Sequence, residues 1–313
     1  MADDRRRDAI TGAFGFTGRA LAEALLARER DVVTLSRRSG AGDPLAARIA
    51  VRPLDFSRPE RLSAALAGVD TLFNTYWMRF PWRRRTFDDA VTESGLLFDA
   101  AKRAGVRRLV HLSVVNADPA GETPYVRAKG RLEGLVRSSG LPFSIVRPTL
   151  TYGPGDILIN NLAWALRRLP VYGLPGRGRY RIQPVHVEDV ARICIEAADD
   201  AAGATIDAAG PEMLEYRELV ARVRQAIGSR SLVLPMPTLA VLAAARLLGL
   251  LVRDVVLTGD ELRELTSGLL ASSDPPLGRI RLSEWLPRHA ASLGRRWASE
   301  LARNYRGSMT RTQ

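Results

Sequence analysis

A single cysteine, Cys194, stands in a chain of 313 residues, so no disulfide can form within it. A reducing compartment suits such a chain, and a cytoplasmic location is expected. Only three histidines accompany that cysteine, which leaves too few ligands for a Cys/His zinc cluster. The N-terminus, MADDRRRDAI, is charged with no apolar run behind it and does not read as a secretory signal. The strongly apolar stretch TLAVLAAARLLGLLV (238–252) is fifteen residues long and interrupted by Arg246. A bilayer span needs ~20. A core helix is the default reading of this stretch, with peripheral membrane contact as the lesser one. Internal repeats and low-complexity linkers are also missing.

Positive charge, by contrast, is abundant. The formal net charge is +12 and the isoelectric point about 10.8. Such a balance raises nucleic acid or a membrane surface as partner. The arginines, however, are scattered, with dense runs only at 5–7 and 83–85. An arginine-rich surface explains them most simply, and an anionic cofactor or substrate comes next. At 46% hydrophobic residues the chain can bury one large core, or a core with a smaller lobe.

The first half alternates short apolar runs with amphipathic segments. The runs are DAIT (8–11), DVVTLS (31–36), ARIAVRPL (47–54), DTLFNT (70–75), RLVHLS (108–113) and FSIVRP (143–148). Helices are expected over 19–28, 59–67, 87–104 and 124–139. Strand and helix in alternation predict an α/β fold with a doubly wound parallel sheet. Thr123 reads as an N-cap with Pro124 in the first turn, while Gly140 and Pro142 stop that helix. Gly105 closes the preceding helix. After residue 150 the pattern loosens, and the last third is mainly helical with one strand-like stretch, GATIDAAGP (203–211). The expected organisation is a Rossmann-type domain (1–152 and 182–204), an interwoven C-terminal lobe (153–181 and 205–305) and a tail (306–313).

TGAFGFTGRAL (11–21) follows the first strand and opens the first helix. Glycines at 12, 15 and 18 permit a tight turn, close approach to a pyrophosphate and close helix–strand packing. Phosphates would lie on the helix N-terminus. Gly12, Phe14, Gly15, Phe16, Thr17 and Gly18 are the candidate dinucleotide contacts, with Asn74 at the end of the fourth strand. Where an NAD site usually has an acidic residue, the second strand ends in Ser36, Arg37 and Arg38. Guanidinium can hold a 2′-phosphate, so NADP(H) is expected over NAD(H), with Arg37 the first choice and Arg38 the second. Asp55 either meets the adenine edge or caps the helix at 59–67.

The glycine turn, RRLVHLSVV (107–115), YVRAK (125–129), RPTLTYGPG (147–155) and PVHVEDVA (184–191) occur in this order. Together they resemble the short-chain dehydrogenase/reductase superfamily, in its extended and atypical, NAD-dependent epimerase/dehydratase-like branch. The resemblance runs from about residue 8 to about 225. It implies a seven-stranded Rossmann domain with a substrate lobe and a Ser–Tyr–Lys site at Ser113, Tyr125 and Lys129. It further implies that Lys129 reaches the nicotinamide ribose and that Pro148 and Thr149 lie near the nicotinamide. The chain departs from the branch in FNTYW, where many relatives have small residues. Its Ser113–Tyr125 interval is also shorter than in typical sugar-nucleotide epimerases. The branch includes NADP(H)-binding regulators similar to NmrA and the accessory subunit of respiratory complex I.

A free phenol has a pKa about 10, and lowering it by ~2–3 units needs about 3–4 kcal/mol. Helical spacing puts Tyr125 and Lys129 on one face, and a desolvated ammonium supplies stabilisation that a surface contact lacks. Tyr125 would exchange a proton with a substrate oxygen, Lys129 would lower its pKa, and Ser113 would hydrogen-bond that oxygen. The alternative is that Tyr125 packs under the cofactor and Lys129 only binds ribose. TYWMRFPWRRRTF (75–87) reads as a pocket wall with Trp77 and Trp82 stacking on a flat substrate, or as a plain surface loop; stacking on single-stranded nucleic acid ranks lower. His186 reads as structural, with Glu188 or Asp189 capping the helix that follows. The expected function is an NADP(H)-dependent oxidoreductase, or an epimerase-like enzyme, for a small carbonyl or alcohol compound. A regulator or assembly subunit that binds NADP(H) without turnover is the alternative.

Overall fold

The computed structural model describes residues 6–200 and 203–306. Most of the expected tail (306–313) and Arg5 of the first arginine run lie outside the described residues. The chain divides into two compact units. Among the described residues, the first holds 6–148, 187–200 and 203–208, and the second holds 149–186 and 209–306.

In the first unit seven strands form one parallel sheet. They are β1 (Arg7–Thr11), β2 (Asp31–Ser36), β3 (Ala50–Pro53), β4 (Thr71–Asn74), β5 (Arg108–Leu112), β6 (Phe143–Pro148) and β7 (Thr205–Ala208). Their order is β7-β6-β5-β4-β1-β2-β3, reversing direction of winding at β1 and β4. In this register Ile10 of β1 lies opposite Thr34 of β2 and Phe73 of β4. The helices are α1 (Phe16–Leu26), α2 (Pro59–Ala65), α3 (Phe87–Arg103), α4 (Pro124–Ser138) and α5 (Val187–Asp199). α2, α3 and α4 pack in succession on one face, and α1 packs with α5 on the other. Both faces are therefore covered, which explains why the strands read as continuous apolar runs. Leu35, Leu72, Leu97, Leu109, Leu132 and Ile145 meet in the core of the first face. Cys194 of α5 is buried, and burial pushes its thiol up to about 12.

Several details differ from expectation. α1 starts at Phe16 rather than Arg19, because Gly18 can enter the first turn: a Cβ there would collide with the Gly12 carbonyl. The segment 205–208, assigned from sequence to the lobe, is the seventh strand of the sheet, paired with β6 from Thr205↔Ile145 to Ala208↔Pro148. Glu188 and Asp189 lie in the first turn of α5, which begins at Val187, instead of ahead of it as caps.

The second unit has a core built on Tyr152, Ile159, Leu162, Leu219, Val223 and Trp285. Tyr152 donates to the Ile280 carbonyl at 2.9 Å, and its ring meets His186 edge-on at 5.1 Å. The structural reading of His186 fits this packing. Short strand pairs add to it: Leu150–Tyr152 with Pro184–His186, Val171–Pro175 with Leu232–Met236, and Arg181–Ile182 with Leu214–Glu215. Leu232–Met236 was not expected, because its sequence, LVLPM, holds a proline that marks a strand as an edge at best. The Thr238–Val252 helix departs most from expectation. Of its residues only Gly249 is buried, so it is not a core helix. No helix among the described residues is long and apolar enough to cross a membrane.

Within α4, Gly130 lies against the backbone of Asp118 and Pro119, where a Cβ would overlap main-chain atoms. Alanine at a helix interior gains about 1 kcal/mol in propensity over glycine. Overpacking against backbone costs typically 1–3 kcal/mol or more. Gly130→Ala is expected to lower stability despite the propensity gain, with a reduced urea midpoint at unchanged m-value.

Candidate active site

The turn after β1 is shaped by short bonds to its neighbours. The Gly12 N–H donates to the Leu35 carbonyl at 2.9 Å, the Ala13 N–H to Thr34 Oγ1 at 3.0 Å, and the Gly15 N–H to the Gly12 carbonyl at 2.8 Å. Gly12 sits at φ +77°, a region that side chains disfavour, with open space where a Cβ would point. The first intrahelical bond runs from Arg19 N–H to the Gly15 carbonyl, 3.0 Å. The amides of Phe16, Thr17 and Gly18 precede it, where a helix start leaves donors without intrahelical partners. No acidic residue occupies the first turn of α1 to offset its positive end. The Phe14 ring packs on Gly40, and Arg19 pairs with Asp43, so the segment after β2 is fastened beside this turn. Arg37 is exposed there, while the Arg38 N–H donates to Ser36 Oγ at 2.9 Å.

Asn74 turns its side chain into the sheet. Its Oδ1 accepts from Thr11 Oγ1 at 3.0 Å and from the Tyr76 N–H at 3.2 Å, and its Nδ2 lies 3.1 Å from His111 Nδ1. Burial holds the His111 pKa well below its ordinary value, so the ring is neutral and Nδ1 accepts. Asn74 thus ties β1, β4 and β5 together at the winding reversal, and its side chain is fully buried. Asp55 does not cap α2, whose N-cap is Arg58; its Oδ1 accepts from Ser57 N–H at 3.1 Å and from Ser57 Oγ at 2.6 Å. These bonds lower its pKa.

Thr123 caps α4 as expected, its Oγ1 accepting from the Val126 N–H at 3.3 Å. Tyr125 and Lys129 follow on one helical face. The half-buried Tyr125 ring meets Trp77 and Phe87 edge-on, at 5.9 Å and 5.7 Å between centroids. Trp77 in turn stacks on Phe87 at 5.7 Å with 3° between planes. Lys129 is buried, its Nζ 4.3 Å from the Trp77 ring centroid and donating to the Leu112 carbonyl at 3.1 Å. Burial pulls its pKa down to about 7, against the opposing pull of Glu133. Trp77, read either as stacking on a flat substrate or as part of a plain surface loop, packs on Phe87 and meets the Lys129 ammonium. Trp82 meets Phe80 edge-on at 6.5 Å.

Ser113 has a hydrogen-bond partner within the protein. Its Oγ donates to Glu133 Oε1 at 2.7 Å. The same carboxylate takes Arg147 Nε and a terminal guanidinium nitrogen at 2.8 and 2.6 Å, and Arg137 at 3.1 Å. Burial would raise the Glu133 pKa, but the bonds from Arg147 and Ser113 outweigh it and hold it below the ordinary value. Pro148 ends β6 in the first unit, its carbonyl accepting from the Val115 N–H at 3.1 Å. Thr149 begins the second unit, where its Oγ1 donates to the Gln183 carbonyl.

The 75–86 loop is ordered by one cluster. Arg85 holds Glu93 through both nitrogens, at 2.8 and 2.5 Å, and Tyr76 donates its hydroxyl to the same carboxylate. A cavity of about 450 Å³ opens beside Phe87 and Pro124, with Arg127 and Arg131 on its wall. Sequence reasoning missed Glu133, Arg147, His111 and Arg85. The signal for the first two was present: an arginine inside a buried strand, FSIVRP, demands a carboxylate.

Residues 12–201, more than half the chain, match the family described as NAD(P)H-binding. The chain belongs to that family. To this extent the resemblance drawn from its motifs is borne out. Among curated relatives, the chain is 26% identical over 252 residues to an Arabidopsis thaliana protein, "NADH dehydrogenase [ubiquinone] 1 alpha subcomplex subunit 9, mitochondrial". That match covers 76% of this chain and 62% of the relative. It is 30% identical to (4-alkanoyl-5-oxo-2,5-dihydrofuran-3-yl)methyl phosphate reductase of Streptomyces griseus, covering 70% of this chain and 73% of that one. The chain spans 62%, 47% and 52% of the first three curated relatives it matches. The NADPH-dependent quinone oxidoreductase of Escherichia coli, solved with NADPH, superposes with a TM-score of 0.74 at 21% identity. That alignment covers 90% of this chain and 99% of that one, and shows a shared fold.

The turn after β1 has the geometry an anionic cofactor needs: open space above Gly12, first-turn amides on α1 without intrahelical partners, and no carboxylate in that first turn.

Lys129 gives a test that needs no substrate. Its folded pKa of about 7 lies below the ordinary 10.5, so between those values the unfolded chain holds a proton that the folded chain lacks. Stability therefore rises with pH across that window. Relative to Lys129→Met, the wild type is expected to gain about 2–3 kcal/mol between pH 7 and pH 9, read from paired urea titrations.

Proposed function

We propose that this chain binds NADP(H) and works as an oxidoreductase, or in an epimerase-like reaction by transient oxidation, on a small carbonyl or alcohol compound. The supporting observation is the desolvated Lys129 ammonium on the helical face that also carries Tyr125. The bound cofactor would supply or take up the hydride. Phe14, Gly15, Phe16, Thr17 and Gly18 would hold its pyrophosphate on α1, and Arg37, backed by Arg38, would grip the 2′-phosphate. Tyr125 would give its proton to the substrate oxygen in reduction and take it back in oxidation. Lys129 would stabilise the phenolate charge and reach the nicotinamide ribose. Ser113 already donates its proton to Glu133, so it would offer a substrate only lone pairs and accept from an alcohol O–H. A cytoplasmic location belongs to the same proposal. The reductases among the relatives support the oxidoreductase reading at the level of the family, whereas the complex I subunits are mitochondrial by name and give no support to the location.

A second reading, cofactor held without turnover, is favoured by one observation: the Trp77 ring, stacked on Phe87, lies against the Lys129 ammonium that would have to reach the ribose. NADPH consumption against a panel of carbonyls and quinones separates the two. Turnover that Tyr125→Phe abolishes while NADPH affinity is retained supports catalysis. Full activity of that variant overturns the role of Tyr125, and tight NADPH retention with no turnover on any compound supports the second reading.

Cofactor choice has its own measurement. Arg37→Ala/Arg38→Ala is expected to weaken NADPH binding at least tenfold with little change for NADH, by fluorescence titration. Equal losses for both cofactors would remove the 2′-phosphate role.

A further inference from the structure

The Thr238–Val252 helix wears its apolar residues outward. Leu239 is 80% exposed, Leu247 64%, Leu250 76% and Leu251 81%. Leu239, Ala243, Arg246, Leu247, Leu250 and Leu251 follow spacings of i, i+4, i+7, i+8, i+11 and i+12, all exposed, so they form one stripe along the helix. Only Arg246 in that stripe is polar. A helix on a water-facing surface has the opposite pattern. The apolar area continues onto the paired strands beneath: the helix packs on Val171–Pro175, and Val171, Leu232 and Leu234 are exposed. An apolar area of this kind is a site for another surface.

The segment is not a loose end. Arg253 turns the chain with φ 53°, and the Asp254 N–H donates to the Gly249 carbonyl at 3.0 Å. The Asp254 carboxylate then accepts from Trp297 Nε1 at 2.9 Å and from the N–H groups of Glu300 and Leu301 at 2.9 and 3.0 Å. The stripe is therefore held in its outward orientation by the unit to which it belongs.

Charge identifies the occupant. The paired strands and the helix, with the residues that join them (169–175 and 229–253), carry Arg230, Arg246 and Arg253 and no aspartate or glutamate. Arg230, Arg246 and Arg253 are exposed. A second copy of the chain in a two-fold pair would set arginines against arginines. A lipid surface with anionic headgroups satisfies both properties at once, taking leucines below the headgroups and guanidinium groups among them. A helix of fifteen residues is ~22 Å long by its rise of 1.5 Å per residue, too short for the ~30 Å hydrocarbon core. It can lie in one leaflet and cannot cross both.

We propose that the Thr238–Val252 helix, with the exposed edge of Leu232–Met236, seats this protein on an anionic membrane surface. The full chain is floated on density gradients with phosphatidylserine/phosphatidylcholine vesicles and, separately, with phosphatidylcholine alone. Wild type is expected to float with the first at low salt, to float less with the second, and to be released by added salt. Leu247→Glu/Leu250→Glu/Leu251→Glu is expected to reduce the bound fraction about tenfold or more, and Arg246→Gln about fivefold. The changed positions are exposed, and retained NADPH binding and circular dichroism check that each variant is folded. Leu247→Ser/Leu251→Ser serves as the milder variant should the triple one fail that check. Wild type that stays at the bottom of the gradient with anionic vesicles overturns the proposal, as does a folded leucine variant that floats undiminished. Wild type that light scattering shows as a dimer, split by the leucine changes and not floating, assigns the stripe to a second copy and overturns it as well.

Discussion

An ammonium removed from water governs the site. Lys129 lies in the interior of the first unit with three compensations: the Leu112 carbonyl, the face of the Trp77 indole, and the field of Glu133. Removing a charge from water costs several kcal/mol, so these contacts lessen the cost without cancelling it, and the pKa near 7 expresses the remainder. Everything around it follows from that constraint. Trp77 must lie where its ring can meet the cation, Phe87 must back Trp77, and the loop that carries Trp77 must be held by Arg85, Tyr76 and Glu93.

Glu133 occupies the complementary position. It is as buried as Lys129, yet it keeps its charge because Arg147 meets it bidentately and Ser113 and Arg137 complete its bonding. One turn of α4 separates the two groups, and opposite outcomes result: a carboxylate held in its charged form and an amine drawn toward its neutral one. The difference lies in the donors that β6 delivers to one and the aromatic wall that the 75–86 loop delivers to the other. Ser113, shared with the carboxylate, belongs to the structural side of this arrangement as much as to the chemical one.

Much of the first unit was legible because its strands, covered on both faces, read as bounded apolar runs; DVVTLS and FSIVRP coincide with β2 and β6. The glycine turn was legible because backbone sterics alone demand glycine at 12 and 18. The site was legible only in outline. Tyr125 and Lys129 share a helix, so their spacing shows in the sequence, whereas Trp77 reaches them from a loop whose path depends on an ion pair no local pattern announces. Leu232–Met236 stayed hidden behind Pro235, and the Thr238–Val252 helix misled because hydrophobicity was taken as a sign of burial. Its leucines face outward, and composition alone cannot distinguish a helix inside a core from one whose apolar side is exposed.

Cys194 has a practical meaning beyond its packing. Its thiol is enclosed by the interior of the first unit and held far from its reactive thiolate form. The wild-type chain is thus close to inert toward maleimides and iodoacetamides while folded. A cysteine placed anywhere on the surface would accept a dye or spin label selectively, without first replacing the native one, so optical and magnetic resonance probes can be introduced by single substitutions.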